Sequence, residues 1–302
     1  MRQAPTNHIA LIGVPSSAGA RQLGQELAPD CLRRAGLVER LRLSGYEVTD
    51  YGDVDKSAYR PDPDHPARQN LPQLLEVLRQ VAAVAEVATR SGARLLVLGG
   101  DCTVTIGVLA GLVKCWPELG MLYVDGDVDL NTPETTPSGI FDGMVIAHLL
   151  GLGAEQLSHF GPRFPLLDES KLALFGYNAR AGSIDPAELG RLQTLKVAKY
   201  PLEHVQPKVR AAAIQALARL ESTADQILIH CDVDVIDFDD FPGADVPHRP
   251  GLLLPEVRDA LSVFLASSQV VGLVLTEFSG HRDRDSLLAT RLVDTIVAAA
   301  AS

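Results

Sequence analysis

Residues 95–100 read LLVLGG, and residues 227–234 read ILIHCDVD. Each run is almost continuously apolar until it reaches glycines or acidic residues. Strands that helices cover on both faces have this composition, because neither face of such a strand meets water. The two runs therefore predict central strands of a parallel sheet enclosed between layers of helices.

Similar apolar runs recur along the chain and alternate with longer amphipathic segments. The strand-like runs are residues 8–14, 95–99, 120–125, 171–177, 226–233 and 270–277, with weaker candidates at 46–51 and 195–200. The helix-like segments are residues 29–44, 71–91, 104–115, 144–152, 207–220, 255–267 and 286–300. This alternation predicts an α/β fold with three layers, α/β/α, and a mainly parallel sheet. No break in composition separates two halves, so we expect a single domain over residues 1–302.

Composition and charge narrow the range of functions. The 302 residues are 46% hydrophobic and 22% charged, and 27 basic against 38 acidic residues give a net charge of −11. An acidic chain has no electrostatic attraction for nucleic acid or for an anionic membrane. No apolar run approaches the ~18 residues of a membrane span, and the first residues lack the pattern of a signal peptide. We therefore expect a cytoplasmic protein that binds neither nucleic acid nor membrane.

Acidic residues follow four of the predicted strands. They are Asp101, Asp125, Asp127, Asp129, Asp232, Asp234 and Glu277. Alternate residues of an extended segment point to the same face, and ligands collect where parallel strands end, so most of these carboxylates should converge. Their repulsion must be relieved by protonation or by cations. Two divalent ions are the simplest solution, and oxygen-rich sites of this kind suit Mn²⁺ or Mg²⁺.

The segments that carry this acidic pattern resemble those of the ureohydrolase superfamily, which contains arginase, agmatinase and their relatives. The resembling segments are residues 11–15 (LIGVP), 28–37 (APDCLRRAGL), 50–53 (DYGD), 99–103 (GGDCT), 125–139 (DGDVDLNTPETTPSG) and 232–243 (DVDVIDFDDFPG), with the strand that precedes Glu277. The resemblance implies an arginase-like fold and two divalent metal ions, with Mn²⁺ expected. It also implies hydrolysis of a small cationic guanidino substrate to an amine and urea.

The resemblance further implies roles for individual residues. The implied metal ligands are Cys102, Asp125, Asp127, Asp129, Asp232 and Asp234. Asn131, Thr136 and Ser138 would line the pocket for the amino-acid end of the substrate. Glu277 would hold the guanidinium group, and Asp129 or Asp142 would move a proton to the leaving amine.

Several positions depart from the arginase pattern. Arginases carry histidine at the positions of Cys102, Asp127 and Asp142, and asparagine at that of Ile140. Five aspartates and a Cys102 thiolate would bring a charge of −6 to two divalent ions, against −4 for the usual ligands of the family. The excess negative charge should make bound water harder to ionise. The cysteine should also make zinc or iron more suitable than in arginases.

These departures leave three functions open. The chain could hydrolyse an activated guanidine such as N-hydroxyarginine and release hydroxyurea, as some arginase relatives do. A less basic guanidine is the better electrophile, so it would tolerate a weaker nucleophile. The chain could also act on another guanidino compound, or it could be an inactive relative that only binds a ligand.

Other residues have alternative interpretations. Asp185 either binds the substrate α-amino group or caps a helix N-terminus. His230 shares a strand face with the aspartate two residues later but should lie deeper. His248 and His281 lie in loops that could border the pocket, and Arg180 could bind a substrate carboxylate. The sequence also leaves the oligomeric state open, and a homo-oligomer is one alternative because arginases often form trimers or hexamers.

Overall fold

Parallel strands build one central sheet. The computed structural model describes residues 6–180 and 183–302. Within these residues the strands are β1 (His8–Gly13), β2 (Glu47–Asp53), β3 (Arg94–Leu98), β4 (Leu119–Val124), β5 (Leu172–Phe175), β6 (Ala198–Tyr200), β7 (Gln226–Asp232) and β8 (Val270–Thr276). Their order across the sheet is β2-β1-β3-β8-β7-β4-β5-β6, and each neighbouring pair is parallel. The predicted α/β fold with a parallel sheet is confirmed.

Helices cover both faces of this sheet. Those in the described residues are α1 (Ala28–Arg34), α2 (Leu37–Leu43), α3 (Leu71–Thr89), α4 (Val104–Leu112), α5 (Val145–Leu149), α6 (Glu155–Ser158), α7 (Pro186–Thr194), α8 (Leu202–Val205), α9 (Val209–Glu221), α10 (Leu254–Leu265) and α11 (Leu287–Ala300). Alternate strand residues enter two separate apolar cores. Leu11 packs in the core of α1, α2, α9, α10 and α11, whereas Ile12 packs in that of α3, α4 and α5. The three predicted layers follow from this alternation.

One predicted helix is wrong. Residues 29–44 form two helices, α1 and α2, because the chain turns at Ala35 and Gly36. Gly36 has a φ of 85°, a left-handed conformation that glycine adopts without steric strain, and its amide donates to the carbonyl of Arg33. The apolar periodicity continues across this turn, which explains why the segment resembles a single helix.

The order of the strands brings four acidic segments to one edge. Strands β3, β8, β7 and β4 are consecutive neighbours at the centre of the sheet, and all four run in the same direction. The residues that follow them are the acidic segments singled out in the sequence. Their side chains therefore meet at the carboxyl edge, where open α/β sheets bind ligands.

Among the described residues, no helix has both the length and the apolar character needed to cross a membrane.

Candidate functional site

The predicted ligands and pocket residues line one cavity at the carboxyl edge of the sheet. Its volume is about 210 Å³. The lining includes Cys102, Asp125, Asp127, Asp129, Asn131, Thr136, Ser138, Ile140, Asp142, Asp232 and Asp234. Arg21, which the sequence did not single out, also lines the cavity. The structure thus brings together the predicted metal and substrate residues, and it places a carboxylate oxygen of Glu277 within 4.8 Å of one of Asp142 and of the Cys102 sulfur.

The deepest part of the site is an inner cluster of Cys102, Asp125, His230 and Asp232. The Cys102 thiol donates to Oδ2 of Asp232 at 2.7 Å, and its Sγ lies 3.4 Å from Nε2 of His230. The same nitrogen is 3.7 Å from Oδ2 of Asp125. All four side chains are at most 2% exposed. One donor atom from each residue lies within 4.8 Å of the others, a spacing that suits a metal ion.

His230 is held rigidly in the inner cluster. Its Nδ1 lies 2.7 Å from the hydroxyl of Thr105 at the start of α4, and its ring stacks on that of Tyr123 with centroids 4.0 Å apart. Tyr123 and His230 are register partners in neighbouring strands β4 and β7. Burial lowers the pKa of His230 to about 3, so the imidazole is neutral. The sequence predicted its deep position but not its contact with Cys102.

A second, outer cluster contains Asp127, Asp234 and His248. Nε2 of His248 is 3.3 Å from Oδ2 of Asp127 and 3.5 Å from Oδ2 of Asp234. Burial opposes the charged imidazole, but the charges of Asp234 and Asp127 outweigh it and raise the pKa of His248 to about 11. His248 therefore lies among the candidate ligands rather than only at the pocket border. His281 instead lines a different cavity, together with Asp245 and Arg282.

Burial and mutual repulsion strongly disfavour the ionised forms of the carboxyl groups in the inner cluster. Burial raises the pKa of Asp125 well above its usual range, and the charges of Asp234 and Asp127 raise it further. Burial followed by the charge of Asp234 raises the pKa of Asp232 in the same way. Burial and the charge of Asp232 likewise raise the pKa of the Cys102 thiol. These groups can all ionise together only if cations neutralise them.

Asp129 occupies an unusual backbone position. Its φ is 48°, in the left-handed region that residues other than glycine seldom adopt. The hydroxyl of Tyr123 donates to its Oδ2, which fixes the carboxyl toward the cavity. Tyr123 precedes Asp125 by two residues and shares its strand face, so strand alternation was the signal that could have identified it.

Glu277 is buried and lies near Asp142. Its Oε2 accepts a hydrogen bond from the Gln25 amide at 3.0 Å, while its Oε1 is buried without a hydrogen-bond partner. Oδ1 of Asp142 accepts from the Cys102 amide at 2.8 Å. Burial and the charge of Asp101 raise the pKa of Asp142 to about 8. Nothing in the sequence pattern pointed to Gln25, which begins a short 3-10 helix and is 252 residues from its partner in the sequence.

Helix α7 supports one side of the pocket loop, which is the segment after β4 that carries Asn131. Asp185 caps this helix by accepting from the amide of Ala187, as one of its two interpretations expected. Oε1 of Glu188 accepts from the amide of Leu130, and Arg191 donates to the carbonyl of the same residue. These bonds connect α7 to the loop that carries Asn131. Residues 181–182 of the preceding loop lie outside the described residues, and Arg180 before them is exposed.

The donor set fits divalent metal ions. Oδ2 of Asp125 is buried and has no hydrogen-bond partner, although it faces the other members of the inner cluster. A buried carboxylate oxygen without a donor is energetically costly unless a cation or a proton occupies its lone pairs. Both clusters combine carboxylate oxygens with an imidazole nitrogen, donors that zinc and other divalent transition metals accept.

Comparisons with known proteins agree with this geometry. A family model described as the arginase family matches residues 7–300. The arginase of Bacillus caldovelox is 30% identical over 266 residues, which cover 87% of this chain and 87% of that relative. The crystal structure of arginase from Bacillus cereus has a TM-score of 0.87 at 28% identity, covering 97% of this chain and 98% of that chain. Formimidoylglutamase from Bacillus subtilis, with a TM-score of 0.77 and 18% identity over 98% of this chain and 87% of that chain, supports the fold alone.

The parallel sheet and the acidic carboxyl edge thus place the molecule among α/β proteins of arginase-like fold. The chain belongs to the arginase family.

Proposed function

We propose that this protein is a metal-dependent hydrolase that cleaves a guanidino compound to an amine and urea. The observation that carries the proposal is Glu277, a buried carboxylate with one oxygen that lacks a partner, beside the acidic clusters. A guanidinium group presents parallel N–H donors with a positive charge, and these are complementary to such a carboxylate. The arginase family and its relatives' names support this class of reaction.

The proposed reaction adds one water to the guanidinium carbon. A carbon–oxygen bond forms, the bond from that carbon to the substituted nitrogen breaks, and a proton passes to the leaving amine. Two divalent metal ions, when bound, would supply positive charge and polarise the attacking water. The inner and outer clusters would hold them.

Three residues have proposed roles at the substrate. Glu277 would pair with the guanidinium group, and the hydrogen bond from Gln25 would keep its carboxylate in place. A carboxylate oxygen of Asp142 lies within 4.8 Å of one of Glu277, so it lies where it could carry a proton to the leaving nitrogen. Asp129, oriented by Tyr123, is the alternative proton carrier.

For the substrate we propose N-hydroxyarginine or a similar guanidine. A Cys102 thiolate with Asp127 and Asp142 would make the site more negative than histidines at these positions, which disfavours ionisation of water. An activated guanidine compensates for a weaker nucleophile. Ile140 lies in the cavity where the resemblance places a carboxylate-binding asparagine, whereas Arg21 lines the same cavity and offers a guanidinium for that task.

The test is a turnover screen on full-length protein of measured metal content. Arginine, N-hydroxyarginine and guanidines without a carboxylate are supplied separately, and urea, hydroxyurea and amine are measured. We expect metal-dependent release of equal amounts of amine and of urea or hydroxyurea. Calorimetric binding of these compounds without any product, by fully metallated protein, would instead identify an inactive ligand-binding relative.

A further inference from the structure

We propose that His230 supplies the imidazole ligand of the inner metal position, so that Cys102, His230, Asp125 and Asp232 together bind a borderline-soft divalent ion such as Zn²⁺. This inference rests on the proposed function for the presence of metal, but it does not depend on the substrate. It differs from the expectation of Mn²⁺ because the donors now include one sulfur and one nitrogen.

The spacing of the donor atoms suits a tetrahedral ion. Bonds of about 2.3 Å to sulfur and about 2.0–2.2 Å to nitrogen and oxygen place tetrahedral donors about 3.4–3.6 Å apart. The distance from Sγ of Cys102 to Nε2 of His230 is 3.4 Å, and that from the same nitrogen to Oδ2 of Asp125 is 3.7 Å. The shorter distance of 2.7 Å from Cys102 to Asp232 is a thiol hydrogen bond, which an ion would replace.

The ring of His230 is oriented as a metal-binding histidine requires. Its Nδ1 faces the hydroxyl of Thr105 at 2.7 Å, so this nitrogen can donate its proton there and leave the lone pair of Nε2 for an ion. Stacking on Tyr123 and complete burial prevent the ring from turning away. The contacts of Nε2 are long, at 3.4 Å to Cys102, 3.4 Å to the hydroxyl of Thr276 and 3.7 Å to Oδ2 of Asp125.

An independent observation points to a cation at the same place. Oδ2 of Asp125 is buried, faces Nε2 of His230 and has no hydrogen-bond partner. Two aspartates, a buried thiol and a neutral imidazole converge there. A divalent ion would satisfy this oxygen and would permit the thiolate to form, because a coordinating thiol loses its proton.

The outer cluster is chemically different from the inner one. Asp127 and Asp234 offer carboxylate oxygens, His248 offers the nitrogen, and the side chain of Asp127 is 41% exposed. This position has no sulfur donor and is closer to solvent. We therefore expect the inner position to retain Zn²⁺ or Co²⁺ tightly, while the outer position exchanges its ion more readily.

The test uses Co²⁺ as a coloured substitute for Zn²⁺ in the full-length protein after removal of metal. Cobalt is titrated while absorption is recorded, because a thiolate ligand adds a charge-transfer band in the near ultraviolet. We expect this band to saturate at one Co²⁺ per chain. The band should disappear in Cys102→Ser. In His230→Gln the affinity for Co²⁺ should fall at least tenfold, because loss of a group that merely supports a metal ligand already lowers metal affinity by about this factor.

Matched controls separate ligation from loss of packing. Cys231→Ser removes the neighbouring cysteine, which packs in the opposite core of the sheet, and should keep the band. His148→Gln removes another fully buried histidine, which bonds to Met144 and Ala154 instead, and should keep the cobalt affinity. If His230→Gln fails to fold, X-ray absorption of the wild-type zinc protein gives the same answer, by showing one sulfur and one imidazole around the ion.

The outcomes distinguish this proposal from the proposed function. A wild-type cobalt spectrum without a thiolate band, or a His230→Gln variant with wild-type affinity, would overturn the inner site even if guanidino compounds are hydrolysed. A zinc absorption spectrum without sulfur or imidazole would do the same. The expected band and affinities would support the site even in a protein that turns over no guanidino compound.

Discussion

Glu277 is held in a conformation that ordinary packing would not select. Its backbone φ of 65° lies in the left-handed region, and its side chain is 2% exposed with one unpartnered oxygen. Strained backbone of this kind costs about 1–3 kcal/mol, and an unsatisfied buried acceptor costs a similar amount. A cationic ligand would offset these two energetic costs, since it would pair with the unpartnered oxygen of Glu277.

Replacing Glu277 by glutamine tests its role at the scale of one residue. The change keeps the shape and the contact with Gln25 but removes the charge that would pair with a guanidinium group. We expect kcat/KM for the best guanidino substrate to fall at least ~100-fold, about 2.7 kcal/mol of transition-state stabilisation. Metal content, measured by elemental analysis, should stay at the wild-type value. A parallel loss of metal would mean that Glu277 acts as a ligand.

The turn between β3 and α4 controls the position of Cys102. A Cβ at Gly100 would lie 1.5 Å from the carbonyl oxygen of Ser16, so no other residue fits. The amide of Asp101 donates to the same carbonyl, and the Gly100 carbonyl accepts from the amide of Glu277. One tight turn thus aligns the segments after β1, β3 and β8.

Gly100→Ala should therefore destabilise the fold as well as the site. Forced displacement of packed backbone costs about 1–3 kcal/mol, and we expect the upper half of this range in the free energy of unfolding. The matched control is Gly190→Ala in α7, where an added Cβ meets no atom within 4 Å. That change should stabilise the protein by up to about 1 kcal/mol. Urea unfolding of both variants measures the difference, and equal stabilities would refute the steric argument.

Helix α7 should act on substrate affinity through the pocket loop. Arg191 donates to the carbonyl of Leu130 and to the hydroxyls of Thr132 and Thr135. The loop that these bonds hold carries Asn131 and leads to the rest of the pocket wall.

In Arg191→Ala we expect KM to rise several-fold while the bound metal stays unchanged, because the hydrogen bonds of Arg191 end on Leu130, Thr132 and Thr135 rather than on members of the inner or outer cluster. Loss of the hydrogen bonds should also lower the free energy of unfolding by about 1–2 kcal/mol. Arg210→Ala, an exposed position on α9, serves as the control and should leave KM as it is. A change confined to kcat would contradict a role in holding the substrate pocket.

At the scale of the whole molecule, the sheet forces like charges together. Burial and mutual repulsion raise the pKa values of Asp125, Asp129, Asp232 and Glu277 well above their usual range, and that of Asp142 to about 8. A carboxyl with a raised pKa binds its proton more tightly in the folded chain than in the unfolded chain. Without metal, stability should therefore fall as the pH rises from about 4 toward 8.

Removing metal with a chelator should accordingly lower Tm, and more so at pH 8 than at pH 5. Ions that bind only the folded chain also add stability by mass action. We expect a loss of at least about 5 °C at pH 8, which corresponds to about 3 kcal/mol for a chain of this size. Scanning calorimetry of chelated and reloaded protein at both pH values measures it. An identical Tm with and without bound metal at pH 8 would exclude a metal cluster among these carboxylates.

Local patterns in the sequence predicted the layered fold and the edge that carries the acids. Each strand is marked by its own apolar run, and the acids lie within five residues of strand ends, so neither inference needs knowledge of distant contacts. The same locality explains the error at residues 29–44, where apolar spacing continues through the turn at Gly36. The roles of Cys102, Asp127, Asp142 and the other candidate residues stay predictions.

Only the tertiary structure decided which side chains meet. Cys102 and His230 are 128 residues apart in the sequence, and they are in contact because β8 alone separates β3 from β7. His248 reaches Asp127 by the path of the loop after β7, and Gln25 reaches Glu277 across the edge of the sheet. Hydrophobic periodicity specifies which face of an element is buried but not which element lies beside it. The sequence therefore determined a parallel sheet with an acidic edge, while strand order and the path of the loop after β7 determined that two histidines lie among those acids.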